Sequence, residues 1–428
     1  MNPDRTVLLI GHKTETIRRA KALGLDVILL QHKSKLEPEQ SALADATFVV
    51  DYRDWSVVRP LVEAAHRTWG IGAALSLTEP GLDVAGRIND LLGLGGTGYE
   101  TSHRLRDKWQ MRRHLAASGA DTIGARLVDG RESLSAFGDA YGYPFIVKPT
   151  DMTAGWGLLP VASPAEVPRT WDEIQRLRHD GVTYGTTLFT IQDFLMEEYV
   201  SGPEYSVEGF SFDGRHAVVA VTEKLVAPER FVELGHTLPA HIDPDLERAI
   251  VDAVRRFLDV MGLKDGPSHT EVRVGAQGPV VIESHNRIGG DHIGDLLRAA
   301  YGIDLIEYTL GWPFRLVQEL PDRPRPLAGA CVRFLHGGSG RVVELGGLEE
   351  VAARPEVLAA ELSVKVGDVL RPLHNNWDRL GLVAVRGSDS EAAVGLCYEL
   401  IGSLRIETTE DPAPAPRELA LSAGVEGR

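Results

Sequence analysis

His269-Thr-Glu-Val-Arg-Val274 and Pro279-Val-Val-Ile-Glu-Ser284 are two short apolar runs, each carrying one glutamate, on either side of Gly275-Ala-Gln-Gly278. Both alternate with period two, so together they read as a β-hairpin. A three-residue loop, Ala276-Gln277-Gly278, puts glycine where a common hairpin turn needs positive φ. In that register partners sum to 554, which sets Glu271 opposite Glu283. Directly opposed Cβ atoms lie about 5 Å apart, and like charges there repel. The pair calls for a cation, and hard oxygen donors suit Mg²⁺ shared with phosphate. The plainer reading is a solvated hairpin face.

Composition bounds the rest. A chain of 428 residues with 43% apolar and 25% charged residues is an ordinary soluble protein of two to four structural units. Its 45 basic and 61 acidic residues give a net charge of −16, with no basic run to track phosphates, so nucleic acid is not an expected partner. Cys331 and Cys397 are the only cysteines, which excludes a disulfide framework or zinc spacing and fits a reducing cytoplasm. Neither an export signal nor an apolar run of membrane-spanning length is present, so no membrane partner is expected.

Upstream, Val7–Ile10, Val27–Leu30, Phe48–Val50 and Ala73–Leu77 read as strands, with helical patterns near 14–23, 56–68 and 81–92 between them. That order argues a small parallel sheet with helices on its faces. Its first turn, Gly11-His-Lys, is not a dinucleotide fingerprint. Residues 104–118 read as one charged amphipathic helix. Pro144-Phe-Ile-Val-Lys-Pro149 is a buried strand ending in a lysine, followed by the small, glycine-containing loop Thr150–Gly157. Such a loop lets backbone N–H groups approach phosphate oxygens while the ammonium adds a point charge, although it is also an ordinary strand exit. Gln192–Phe210 holds two strands broken at Ser201-Gly-Pro203, and the exposed backbone near Tyr199 and Val200 could bond a flat heterocycle. Leu246–Met261 is an amphipathic core helix.

Taken in order, Asp107-Lys108, Phe145-Ile-Val-Lys-Pro149, Glu197-Glu-Tyr-Val-Ser-Gly-Pro-Glu204, Glu271 and Glu283-Ser-His-Asn-Arg-Ile-Gly-Gly290 resemble the ATP-grasp superfamily over roughly residues 1–320. The resemblance implies an α/β and α+β fold: a Rossmann-like N-terminal α/β domain (1–103), a linker helix and lid (104–195), a mixed-sheet catalytic part carrying the metal hairpin (196–320), a β-rich C-terminal part (321–410) and a loose tail (411–428). It places Lys108 and Lys148 on ATP phosphates under the loop Thr153, Ala154, Gly155 and Gly157. Glu197, Tyr199 and Val200 would border the adenine, Glu197 through its side chain, and Glu204 would take the ribose. Glu271 and Glu283 would hold Mg²⁺, and Arg287 would stabilise an acyl-phosphate and the tetrahedral intermediate. Many relatives read Glu-x-Asn-Pro-Arg where this chain has Glu283-Ser-His-Asn-Arg287, so an imidazole stands at a metal-ligand position. Either His285 points away or Asn286 swings in.

Pro228–Pro239 resembles the stretch before the long helix in L-amino-acid ligases, with Glu233 as partner of an α-ammonium and His236 near the attacking amine. Asp291, in the same pocket, would favour a cationic or amino-bearing substrate. The implied reaction is amide formation between amino acids with release of ADP and phosphate. A carboxylase-like or purine-pathway enzyme acting through carboxyphosphate, and a nucleotide-binding module without turnover, are the alternatives. A homodimer is a further expectation from such relatives.

Overall fold

The computed structural model describes residues 2–120, 123–180, 188–189, 191–227 and 231–409. The expected loose tail, 411–428, and the segment 228–230 of the substrate stretch lie outside the described residues. Among the described residues no helix is long and apolar enough to cross a membrane.

The chain begins with strands β1 (Thr6–Ile10), β2 (Asp26–Gln31), β3 (Ala46–Val49) and β4 (Ala73–Leu75), which pair in parallel in the order β3-β2-β1-β4. β1 is buried throughout, as continuous apolar runs of a sheet covered on both faces must be. A second sheet, in the order β5-β8-β6-β7, contains β5 (Ala125–Leu127), β6 (Phe145–Pro149), β7 (Leu159–Val161) and β8 (Phe194–Glu198). β6 is buried from end to end, Lys148 included.

The largest sheet has eight strands. Its members in chain order are β9 (Glu204–Phe212), β10 (Arg215–Val226), β11 (Glu233–Leu238), β12 (Gly266–Gly275), β13 (Gly278–His285) and β14 (Gly329–Leu335), joined later by β16 and β18. After β14 come β15 (Gly340–Gly346), β16 (Val357–Leu362), β17 (Val369–Leu370), β18 (Gly381–Gly387) and β19 (Arg405–Thr409). The order in the large sheet is β13-β12-β9-β10-β11-β14-β18-β16, and β17-β15-β19 form a small separate sheet. Three strands from beyond residue 320 therefore extend the sheet that carries the hairpin. The turn between β9 and β10 is Asp213-Gly214, both at positive φ (50° and 89°), the geometry a two-residue hairpin favours. Helix Pro244–Met261, capped by the Asp243 side chain, packs one apolar stripe onto the sheet beside Val207, Val221 and Val272. Helix Ile293–Tyr301 packs among Phe210, Leu238 and Val332.

Two expectations are corrected. The segment 104–118 is not one helix: Tyr99–Arg106 ends at Asp107, whose side chain accepts from Gln110 N (2.8 Å) and starts a new helix, Lys108–Ser118. An aspartate is a strong N-cap, and here capping wins over continuation. The hairpin register also differs near its turn. Gly275 pairs with Gly278 and partners there sum to 553, until a bulge at Ile282 restores the pairing of Glu271 with Glu283. Without that extra residue a one-position slip would put Ile282 opposite Glu271.

Candidate active site

One cavity of about 860 Å³ lies where all the units meet. The N-terminal unit contributes His12, Thr78 and Glu79; the second sheet contributes Lys148 and Thr153–Gly155; the large sheet contributes most of the charged groups. Asn376, Trp377 and Arg379 reach in from the C-terminal part.

At the hairpin, Glu271 and Glu283 stand opposite one another as partners across β12 and β13. Each has a buried cation beside it: Lys224 Nζ lies 2.7 Å from Glu271 Oε1, and Lys108 Nζ lies 3.0 Å from Glu283 Oε2. Burial would raise both carboxyl pKa values, yet Lys224 and Lys108 outweigh it and hold both groups below the usual carboxylate range. The donors are hard carboxylate oxygens, a set that fits Mg²⁺. His285 does not point away from the pair: its ring lies between Glu79 and Glu283, with Nδ1 2.8 Å from Glu79 Oε1 and Nε2 3.2 Å from Glu283 Oε1. Asn286 is turned away and donates to Ser102 Oγ (2.8 Å).

Lys148 Nζ lies 2.6 Å from Glu197 Oε2, and Arg112 Nε donates to Glu197 Oε1 at 2.6 Å. Glu197 lines the cavity with both carboxylate oxygens committed to these cations. Arg112 is 2% exposed, and its other nitrogens donate to Val281 O and Ile282 O (3.0 Å each), the carbonyls at the hairpin bulge. One guanidinium thus ties the bulge to the strand that carries Glu197, a fork geometry that lysine cannot copy. Thr153, Ala154 and Gly155 line the cavity, whereas Lys108 and Gly157 do not. Tyr199 and Val200 form a wall with Phe231, and the Arg273 guanidinium sits over the Tyr199 ring at 5.2 Å. Glu204 Oε1 meets Lys224 Nζ at 2.7 Å.

Lys224 is 7% exposed and also lies 2.6 Å from Glu233 Oε1, so a single ammonium joins Glu204, Glu233 and Glu271. Glu233 is further held by Asn376, whose Nδ2 donates to Oε2 at 2.8 Å. His236 is 1% exposed and lines the same cavity, and neither ring nitrogen makes a hydrogen bond among the described residues. Arg287 Nε donates to Glu79 Oε1 at 2.5 Å. Burial would raise the Glu79 carboxyl, but His285 and Arg287 hold it well below the ordinary range.

Three family models match stretches of this chain. The family model described as an ATP-grasp domain covers residues 141–295, the ATP-grasp N-terminal domain covers 17–96, and L-amino acid ligase C-terminal domain 2 covers 333–409. The chain belongs to the ATP-grasp superfamily. Among its relatives, alanine–anticapsin ligase of Bacillus subtilis is 26% identical over 273 residues, 61% of this chain and 57% of that one. The chain thus spans little more than half the length of that relative. The L-arginine-specific L-amino acid ligase of Bacillus subtilis is 23% identical over 349 residues, 79% of this chain and 81% of that one. The crystal structure of L-amino acid ligase from Bacillus licheniformis superposes with a TM-score of 0.79 at 22% identity, covering 95% of this chain and 99% of that chain.

In and around this cavity, Glu79, Arg112, Lys224, Arg273, Asn376 and Arg379 were not singled out in the sequence. Two had a signal there. Lys108 and Arg112 share a helix face with Met111 and Leu115, an apolar face that should not hold two cations unless they have buried partners. Thr222-Glu-Lys-Leu225 alternates in the wrong sense, with Lys224 inward and Leu225 40% exposed. The Asp291 expectation changes as well. Its carboxylate is already met by a bidentate Arg379, with both bonds at 2.7 Å, so it offers no free charge to a cationic substrate.

Proposed function

We propose that this chain is an ATP-dependent carboxylate–amine ligase that joins two amino acids through an acyl-phosphate and releases ADP and phosphate. The observation that carries the reading is the meeting, in one cavity, of an opposed glutamate pair, an arginine fork (Arg287) and a buried histidine without hydrogen bonds (His236) among the described residues. The C-terminal match to an L-amino acid ligase domain supports amino acids as the substrates.

In this reading Lys148 and the loop Thr153–Gly155 receive the triphosphate, with Lys108 behind them on Glu283; Tyr199, Val200 and Arg273 flank the base, and Glu204 takes the ribose. Glu271 and Glu283 would hold Mg²⁺, which when bound offsets phosphate charge. Lysines and glutamates of the site are one another's partners in the free chain, so Mg-nucleotide entry exchanges one set of ion pairs for another. The acid's carboxylate oxygen attacks the γ-phosphorus, and the bond to ADP breaks. Arg287, oriented by Glu79, presents its planar donors to the acyl oxygen as negative charge develops there. Glu233 orients an α-ammonium, and His236 takes a proton from the attacking amine.

The test is ADP and phosphate release with Mg-ATP across single and paired amino acids, with and without bicarbonate, and products weighed by mass spectrometry. Release that needs two amino acids, with a product lighter than their sum by one water, is expected. Release that needs bicarbonate instead would replace this reading with a carboxylating one.

A further inference from the structure

His236 has the position of a base without an obvious means of being aimed. Its Nε2 lies 3.5 Å from Asp291 Oδ2, and Nδ1 has no partner among the described residues. Asp291 in turn is gripped by Arg379, a residue 88 positions away, through two parallel bonds of 2.7 Å. Asp291 and His292 are consecutive non-glycine residues at positive φ (53° and 64°), a conformation that L side chains disfavour. Such a conformation persists where surrounding contacts fix it: here the Arg379 fork holds Asp291, and Asp295 holds His292, its Oδ2 2.9 Å from Nδ1. Arg379 is fixed by its guanidinium lying 3.6 Å from the Phe334 ring centroid and by Nε donating to Asn376 O at 2.7 Å. Phe334 also meets the His236 ring edge-on, with centroids 6.0 Å apart. The C-terminal part therefore touches His236 by two routes, one apolar and one ionic.

We propose that Asp291 and Arg379 are positioning residues that present His236 to the attacking amine, so that the C-terminal part of the chain governs the second half-reaction. This rests on the ligase reading above. A carboxylate facing Nε2 favours the tautomer protonated there and leaves the Nδ1 lone pair to accept a proton. That role needs Asp291 ionised. Burial would raise its pKa, but His236 and Arg379 hold it far below the carboxylate range. Among the described residues, the other charged groups around His236 are Lys224, its partner across β10 and β11, Glu233, and Arg333, whose Nη1 donates to the His236 carbonyl at 3.2 Å. In the step itself the amine's proton passes to Nδ1, the C–N bond forms, and the C–O bond to phosphate breaks with the electron pair leaving on phosphate.

The experiment separates the two half-reactions. Wild type, Asp291→Asn, Arg379→Gln and Arg379→Lys are each given Mg-ATP and a pool of the standard L-amino acids, with or without excess hydroxylamine. Hydroxylamine is largely unprotonated at neutral pH and traps an acyl-phosphate as hydroxamate without needing a base. Asp291→Asn and Arg379→Gln should lower dipeptide formation about a hundredfold, the scale of a lost general base, with hydroxamate formation within about twofold of wild type. Arg379→Lys should recover part of the loss. A parallel fall in dipeptide and hydroxamate, or no fall in either, would overturn the proposal. Should Arg379→Gln not fold, Asp291→Asn, which keeps the side chain's shape, decides alone. Absence of hydroxamate from the wild type itself would instead remove the ligase reading, and the proposal with it.

Discussion

In the proposed reading a single carboxylate, Glu283, serves two functions in turn: it pairs with Lys108 in the free chain and would hold the metal in the loaded one. Glu283→Gln keeps the shape and loses the charge, so turnover should fall at least about a hundredfold; wild-type rates of ADP release from the variant would take Glu283 out of the metal site. His12 carries a different kind of prediction. It is 2% exposed, lies 3.2 Å from Leu75 O through Nε2, and burial lowers its pKa to about 4. The unfolded chain, with a histidine near 6.5, therefore binds more protons between about pH 4 and pH 6.5, and stability must rise with pH across that window. The full effect is about 3 kcal/mol. His269, raised to about 9, behaves in the opposite sense, contributing stability below pH 6.5 that is lost as pH climbs through 9, so it stays flat in the acid window. Comparing unfolding free energies of wild type and His12→Gln at pH 4.5 and pH 7 should show the acid-side slope in the wild type and a shallower one in the variant. Equal slopes would mean that the imidazole is not what protonates.

At the scale of elements, the β8–β9 break and the β12–β13 hairpin form one unit. Gly202, in the break, has φ 131°, and a Cβ there would lie 2.0 Å from Val274 O on the hairpin. Val274 N donates to Pro203 O at 3.0 Å, so the two backbones are in direct contact. Gly202→Ala must push the break off the hairpin and shift Tyr199 and Val200, the cavity wall beside it. Titration calorimetry should show ATP bound about tenfold more weakly, a loss of about 1.4 kcal/mol; unchanged affinity would show that this wall does not contact the nucleotide. The hairpin was legible because its signals are local: period-two alternation, a glycine turn and two glutamates at inward positions. Its register near the turn was not, because the Ile282 bulge is supported by Arg112, which lies some 170 positions earlier in the chain. The same limit explains the missed helix break. Asp107 reads equally well as one more charge on a polar helix face, and besides its own bond from Gln110 N, its use as a cap is favoured by the hydrogen bond from Lys108 N to Thr150 O (2.8 Å), a contact 42 positions away.

Across the whole molecule the site is assembled by ion pairs between units, and these leave the weakest trace in sequence. Glu79 opens a helix of the N-terminal unit, where an acidic residue is expected simply for its favourable interaction with the helix dipole. Nothing local shows that it also reaches Arg287, 208 positions on, and His285 beside it. In the proposed reading that contact gives the N-terminal unit a chemical part in a reaction whose nucleotide and metal groups would lie in the other units. Replacing Glu79 with Gln leaves Arg287 and His285 without their shared anion. Arg287 then keeps only its bond to Ile288 O (2.9 Å) as a fixed point among the described residues. A donor fork that wanders by an ångström loses much of its value at the transition state. The expected result is a fall of about a hundredfold in kcat, with ATP affinity measured by calorimetry within about twofold of wild type. Loss of ATP binding to the same degree would instead mean that Glu79 holds the nucleotide pocket together and that the N-terminal unit acts through folding rather than through Arg287.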